Sequence, residues 1–234
     1  MSKSLNKYIA ERGYCSRRQA DELLRAGRVT LNGEVARPGN RVEEGDEVRI
    51  DGQLIHAEPP AVYLLLNKPK GITVTTDHRI EGNVIDFINY PERIFPVGRL
   101  DKPSEGLLLL TNDGDLSNKL IHARNLHEKE YLVTLSRPYD QLFLDRMATG
   151  VPILDTVTRP CQVEVVDKVR FKIVLTQGLN RQIRRMCEAL GQRVKRLERI
   201  RFMNLTAPDL DRGQWRELKA EELEALKELT RDSR

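Results

Sequence analysis

Cysteine is scarce in this chain. Cys15, Cys161 and Cys187 stand far apart over 234 positions, which argues against a disulfide framework or a zinc knuckle and for a reducing compartment. None of the histidines (His56, His78, His122, His127) belongs to an HExxH or stands beside a CxxC pair, so metal chemistry has no sequence support. A glycine-rich phosphate loop and a dinucleotide fingerprint are also missing, and the expectation is a protein without a cofactor. No stretch approaches a membrane span. The opening residues, MSKSLNKYIAERGYCSRR, lack an apolar core of secretory length, so a soluble, cytoplasmic protein is expected.

What is present is enough apolar material for a core, and charge that is unevenly placed. A chain of this length with 39% hydrophobic residues can form one large domain plus a small one. The net charge of +4 is modest, so the location of the basic residues matters more than their sum. Residues 1–41 hold nine Lys or Arg against four acids, whereas residues 42–58 hold one Arg against six. A second basic cluster at 181–201 has eight Lys or Arg against Glu188 and Glu198. Two separated clusters fit a polyanionic partner, the alternative being ordinary solvated helix faces.

The first 58 residues read as a small module. Ser4 can cap a helix with Leu5, Tyr8 and Ile9 inward, ended by Gly13. Ser16 and Gln19 have capping-box spacing before a second helix with Ala20, Leu23 and Leu24 inward and Gly27 as its stop. Arg17, Arg18 and Arg25 lie off that apolar stripe and are available to phosphates. Asn32-Gly33 and Asp51-Gly52, each between short β-prone runs, predict two hairpins. Residues 56–61, HAEPPA, read as a linker.

A second domain begins with the apolar strand Val62–Leu66. Strands at 107–112, 130–135, 161–166, 169–176 and 194–205 alternate irregularly with helices near 83–89, 115–124, 139–148 and 180–190. That is not the even rhythm of a doubly wound sheet, so α+β with a mixed or antiparallel sheet is predicted. A last helix at 220–229, with Leu223, Leu226 and Leu229, is expected to pack on the sheet's edge.

The most informative stretch is GRLDKPSEGLLLLTNDGDL, residues 98–116. It sets one acid, Asp101, in a turn that feeds a strand, Leu107–Leu110, apolar on both faces. Asp115 is expected to cap the helix that follows, with Leu116, Leu120 and Ile121 on one face. On spacing alone Asp101 is a turn residue whose carboxylate accepts a backbone N–H. At helical spacing Ile183, Met186, Cys187 and Leu190 form one apolar face. Arg184 falls at its edge, whereas Arg181 and Arg185 fall on the far side, toward solvent or phosphate.

These segments resemble the pseudouridine synthases. GRLD looks like the family's catalytic motif, Lys129-Glu130-Tyr131-Leu132 like its second, and GLNRQIRRM (178–186) like its third, in the family's order. The N-terminal segment is similar to the S4-type RNA-binding domain of the RsuA branch. HEKEYLVTL (127–135) and GVPILDTVT (150–158) resemble most closely a member of that branch acting on large-subunit ribosomal RNA.

The resemblance implies an S4-type RNA-binding domain at 1–58 and a catalytic domain at 61–234 with a mixed, mainly antiparallel sheet. It implies Asp101 as the essential carboxylate, Arg184 as its partner and Tyr131 as the ring that stacks on the target base. A carboxylate in a water-poor pocket stays ionised only if a cation holds it, which is what Arg184 would supply. Arg99 is implied as the residue that enters the space left by a flipped uridine, and Leu197 as an apolar wall. The plainer alternatives are a surface charge for Arg184, a core tyrosine for Tyr131, a phosphate contact for Arg99 and a core leucine for Leu197. The implied substrate is a uridine in a 23S ribosomal RNA stem-loop, transfer RNA being a further candidate, with the protein taken as a monomer. Rival readings are a non-catalytic ribosome-assembly factor and a nucleoside glycosidase; the latter would need a second acid paired with Asp101.

Overall fold

The structure, a computed structural model, describes residues 2–55, 57–122 and 125–233. His56 of the expected linker and the last two residues of the helix expected at 115–124 lie outside them. The chain divides into two compact units. One runs to Val62 and takes in Tyr90–Ile94 and Asn112–Gly114; the other holds Tyr63–Asn89, Phe95–Thr111 and the chain from Asp115.

In the first unit, β1 (Lys3–Ser4), α1 (Leu5–Glu11), α2 (Arg17–Arg25), β2 (Val29–Leu31), β3 (Glu34–Val35), β4 (Arg41–Val42), β5 (Val48–Ile50) and β6 (Gln53–Leu54) follow in order. The capping box forms: the Gln19 N–H donates to Ser16 Oγ at 3.2 Å and the Ser16 N–H to Gln19 Oε1 at 2.9 Å. Ser4 sits at the start of α1, but its side chain makes no capping bond. Leu5, Ile9, Ala20, Leu24, Val29, Val48 and Ile50 form the core, with Tyr8 and Leu23 packed at its margin. Both expected hairpins form in the sheet β3-β2-β5-β6. Their turns place Asn32 and Gly33 at φ of 53° and 86°, and Asp51 and Gly52 at 50° and 79°, the left-handed pair that matches strand twist.

The second unit is built on one sheet. Its elements are β7 (Tyr63–Lys68), α3 (Val84–Ile88), β8 (Phe95–Pro96), β9 (Glu105–Thr111), α4 (Gly114–Ile121), β10 (Lys129–Leu135), α5 (Gln141–Thr149), β11 (Pro152–Ile153), β12 (Thr156–Val157), β13 (Gln162–Val165), β14 (Arg170–Leu175), α6 (Gln182–Ala189), β15 (Val194–Phe202), β16 (Trp215–Glu217) and α7 (Ala220–Leu229). The strand order is β13-β14-β10-β15-β9-β7-β16, with β8 beside β9. Every pairing is antiparallel except β15 with β9, so the fold is α+β with a mixed, mainly antiparallel sheet.

Two apolar clusters cover this sheet. Val133, Leu135, Ile173 and Leu175 pack under Ile183, Met186 and Cys187 of α6. Leu65, Leu107 and Leu109 pack with Leu116 and Leu120 of α4 and Leu226 of α7. Side chains alternate along a strand, so Leu108 and Leu110 point to the other face; they are fully buried too, as expected of a doubly covered strand.

Helix ends account for most departures from expectation. Asp115 lies inside the first turn of α4 rather than before it, where a carboxylate still favours the N-terminal dipole. Ile121 and Leu229, the last residues of α4 and α7, are exposed. Helix α7 inserts Leu226 into the cluster that holds Leu65 of β7 and Leu107 and Leu109 of β9. Helix α6 starts at Gln182 because Arg181 has a left-handed backbone, φ 50°, that a helix cannot include.

Candidate active site

Asp101 stands in the turn between β8 and β9. Its carbonyl accepts the Ser104 N–H at 2.9 Å, which closes the turn, and the Lys102 carbonyl accepts the Gly71 N–H at 2.8 Å. The loop supplying Gly71 is held by Lys68, which is fully buried and donates from Nζ to the Pro69 and Ile72 carbonyls at 2.9 Å each. Burial pushes the Lys68 ammonium down to about 8, opposed by the Glu105 and Asp101 carboxylates. Lys68 was not anticipated; its trace is the charge that ends an apolar strand in NKPKG.

The turn is joined to the sheet's centre through Gly106. In the parallel pair of β9 and β15, Gly106 faces Arg199 with φ 101°, and a Cβ there would lie 2.2 Å from the Arg199 carbonyl oxygen. Glycine is what this approach requires. On the other side of β15, Arg199 is opposite Tyr131 of β10, and Lys129 precedes Tyr131 by the two residues that keep both on one face. Strand pairing therefore collects Tyr131, Lys129 and Arg199 beside the Asp101 turn.

These residues line one cavity of about 470 Å³, within the range of small-ligand sites. Leu175, Ile183 and Leu197 reach it from one apolar cluster, and Val97, Leu120 and Phe202 from the other. Asp101 is the one acid in the described lining, whereas Arg99, Lys102, Lys129, Arg181 and Arg199 are all basic. Burial, and then the charge of Arg199, push the Lys129 ammonium down to about 8. Arg199 is 3% exposed and donates from Nε to the Leu107 carbonyl at 2.6 Å, while its Nη2 has no partner. Neither cation was singled out from the sequence; Lys129 lay inside the motif quoted for Tyr131.

The anticipated residues fall into three groups. Asp101, Tyr131, Arg99, Leu197 and Arg181 line the cavity together. Arg181 was projected onto the far side of α6, but its left-handed backbone at the helix start turns it into the cavity wall. Arg184 and Arg185 act on loops. Arg184 is buried and donates from Nη2 to Ser104 Oγ at 3.2 Å and to the Pro103 carbonyl at 3.5 Å, with no direct salt bridge to Asp101. Burial and Arg181 lower the pKa of Arg184, and the Asp101 carboxylate opposes them. Arg185 holds the loop before α6, through Asn180. Arg17, Arg18 and Arg25 are exposed on α2 of the other unit.

The 181–201 cluster is less basic than its count. Arg196 pairs with Glu105 and Glu198, and Arg201 with Glu128 and Glu130, so two of its members are already neutralised.

Residues 62–189 match the RNA pseudouridylate synthase family, and residues 4–48 match the S4 domain. The chain belongs to the RNA pseudouridine synthases. Among similar synthases, the dual-specificity RNA pseudouridine synthase RluF of Escherichia coli (strain K12) is 50% identical over 98% of this chain and 80% of its own. Ribosomal large subunit pseudouridine synthase B of Bacillus subtilis (strain 168) is 37% identical over 96% of each chain. A crystal structure of a pseudouridylate synthase superposes with a TM-score of 0.71 at 30% identity, over 95% of this chain and 99% of that one. This synthase therefore isomerises uridine to pseudouridine in RNA. The family match spans Asp101, Tyr131 and Arg184, whereas Leu197 and Arg199 lie beyond it. No helix among the described residues is long and apolar enough to cross a membrane.

Proposed function

We propose that this synthase uses Asp101 as its essential carboxylate on a uridine of a 23S ribosomal RNA stem-loop, with transfer RNA as a further substrate. The observation that carries the site is the cavity itself, in which one acid and one tyrosine, from turn and strand, meet five basic side chains. A glycosidase would pair Asp101 with a second carboxylate, and none lines the described cavity. The B. subtilis relative is named for the ribosomal large subunit and the E. coli relative for a dual specificity on RNA, which supports a ribosomal target and more than one substrate.

In this reading Tyr131 stacks on the base and Leu197 walls the ring. Exposed Arg99 and Arg181 meet phosphates at the rim, Arg99 also filling the stack left by the flipped nucleotide. Arg185 orders the loop that carries Arg181. Arg184 works on Asp101 by fixing Ser104 and Pro103 of its turn and by keeping a positive charge near it. Residues 1–58 dock RNA through Arg17, Arg18 and Arg25, and residues 61–234 carry the chemistry. The protein acts as a monomer in the cytoplasm, where its three free cysteines stay reduced.

The test is to map pseudouridine in ribosomal and transfer RNA from cells with and without this protein. Loss of a large-subunit position, restored by the purified protein on unmodified RNA, is expected. An unchanged large-subunit map would refute the substrate assignment.

A further inference from the structure

We propose that Arg199 binds a carbonyl oxygen of the target uracil and stabilises the anion that the ring becomes when its bond to the sugar breaks. The inference rests on the reading that the uridine lies in the Asp101 cavity.

Arg199 is buried as a charge without a counter-charge. Among the described residues no carboxylate forms a salt bridge with it; one bond from Nε to the Leu107 carbonyl and the Phe202 ring, 5.4 Å from its Cζ, hold it, and Nη2 is unmatched. Other arginines of the same strand show what a structural cation looks like here: Arg196 has Glu105, and Arg201 has Glu130. A buried guanidinium left unpaired is unfavourable in the free protein and becomes favourable when a ligand supplies the acceptor.

Its depth selects which acceptor. The phosphates of an RNA strand stay at the surface, where the exposed Arg99, Lys102 and Arg181 stand. The 3%-exposed Arg199 meets the part of the nucleotide that goes furthest in, the base. Tyr131, the residue opposite it in register, offers a π-face to that base.

The chemistry then uses the charge. When C1′–N1 breaks, its electron pair leaves with N1, and the negative charge spreads to O2 and O4. An N–H on either oxygen strengthens as that charge develops. A half-turn about the N3–C6 axis exchanges N1 with C5 and O2 with O4, so one fixed donor serves the ring before and after it turns. C5 then bonds to C1′, the C5 proton is lost and N1 regains one. Atoms and electrons balance with no co-reactant, whichever way Asp101 acts.

The experiment compares full-length wild type, Arg199→Met, Arg199→Ala and Asp101→Asn on unmodified substrate RNA, measuring single-turnover rate, RNA Kd and Tm. Arg199→Met should slow the single-turnover rate by roughly 10²–10³-fold, the usual loss for one donor to a developing anion. Its Kd should stay within about threefold and its Tm should be unchanged or higher, since an unpaired buried charge is gone. Millimolar guanidinium should restore part of the rate of Arg199→Ala. A wild-type rate in Arg199→Met would overturn the inference. So would a lowered Tm in Arg199→Met without guanidinium rescue of Arg199→Ala, which would mark a structural residue. An active Asp101→Asn would instead overturn the reading of the cavity; an inactive Asp101→Asn beside a normal Arg199→Met would remove the Arg199 assignment alone.

Discussion

Replacing Gly106 by alanine tests the strand junction that carries the active site. The new Cβ would sit 2.2 Å from the Arg199 carbonyl oxygen and 2.6 Å from its nitrogen, at a φ of 101° that L-residues rarely adopt. The backbone conformation costs roughly 1–3 kcal/mol. Overpacking against backbone atoms, which cannot rotate away, adds a further 1–3 kcal/mol or so. Together they approach roughly 3–5 kcal/mol, a large part of the 5–15 kcal/mol that holds a domain folded. At about 2–4 °C per kcal/mol for a chain of this size, Tm should fall by roughly 6–20 °C. Because Gly106 and Arg199 form one of the two register pairs of the parallel junction, single-turnover activity should fall with it. Gly114→Ala is the control: its Cβ meets nothing within 4 Å and its φ is not positive, so stability should move by less than about 0.5 kcal/mol. A Gly106→Ala variant with wild-type Tm and rate would refute the close approach of β9 and β15.

Changing Arg17, Arg18 and Arg25 together to Gln should weaken RNA binding and flatten the dependence of log K on log salt by roughly 0.7–0.9 for each phosphate no longer neutralised, leaving single-turnover rates at saturating enzyme unchanged. An unchanged salt slope, measured by filter binding, would remove α2 from the interface. Tyr131→Phe should keep RNA affinity because stacking needs the ring alone, whereas Tyr131→Ala should lose roughly 1–3 kcal/mol of binding and most of the turnover. Equal, near-normal turnover of both in a tritium-release assay would mark Tyr131 as a core residue. Lys129 lines the cavity proposed to hold the uridine and is charged below about 8 and neutral above it, so the cavity loses that cation as pH rises through 8. Affinity should fall by roughly tenfold between pH 7 and 9, the worth of one charge-assisted bond. The fall should vanish in Lys129→Met, because Lys68, which titrates in the same range, bonds to its own loop carbonyls. A fall that survives in Lys129→Met would exclude Lys129 as its source.

Features written locally in the chain are legible in the sequence. The Ser16–Gln19 capping box, the Asn32-Gly33 and Asp51-Gly52 hairpins and the strand after Asp101 each depend on residues a few positions apart. Arg199 was not legible, because its burial follows from pairing with Gly106, more than ninety residues earlier, and periodicity is silent about partners at that range. For the same reason the charge count at 181–201 missed that Arg196 and Arg201 are matched by glutamates of β9, β10 and β15 and by Glu128. Helical projection misplaced Arg181, since it assumes a regular helix through a residue where the helix starts.

Whether Asp101 performs the proposed chemistry is decided by Asp101→Asn. Asparagine has nearly the same shape but carries no negative charge and is no useful nucleophile. Glutamate keeps the charge but shifts it by a methylene, so Asp101→Glu should be severely impaired as well. The measurement is pseudouridine mapping on unmodified ribosomal RNA incubated with each purified variant, with RNA Kd and Tm determined in parallel. Asp101→Asn should fold, bind RNA like the wild type and leave every uridine unchanged. Wild-type levels of pseudouridine from Asp101→Asn would show that Asp101 is not the essential carboxylate.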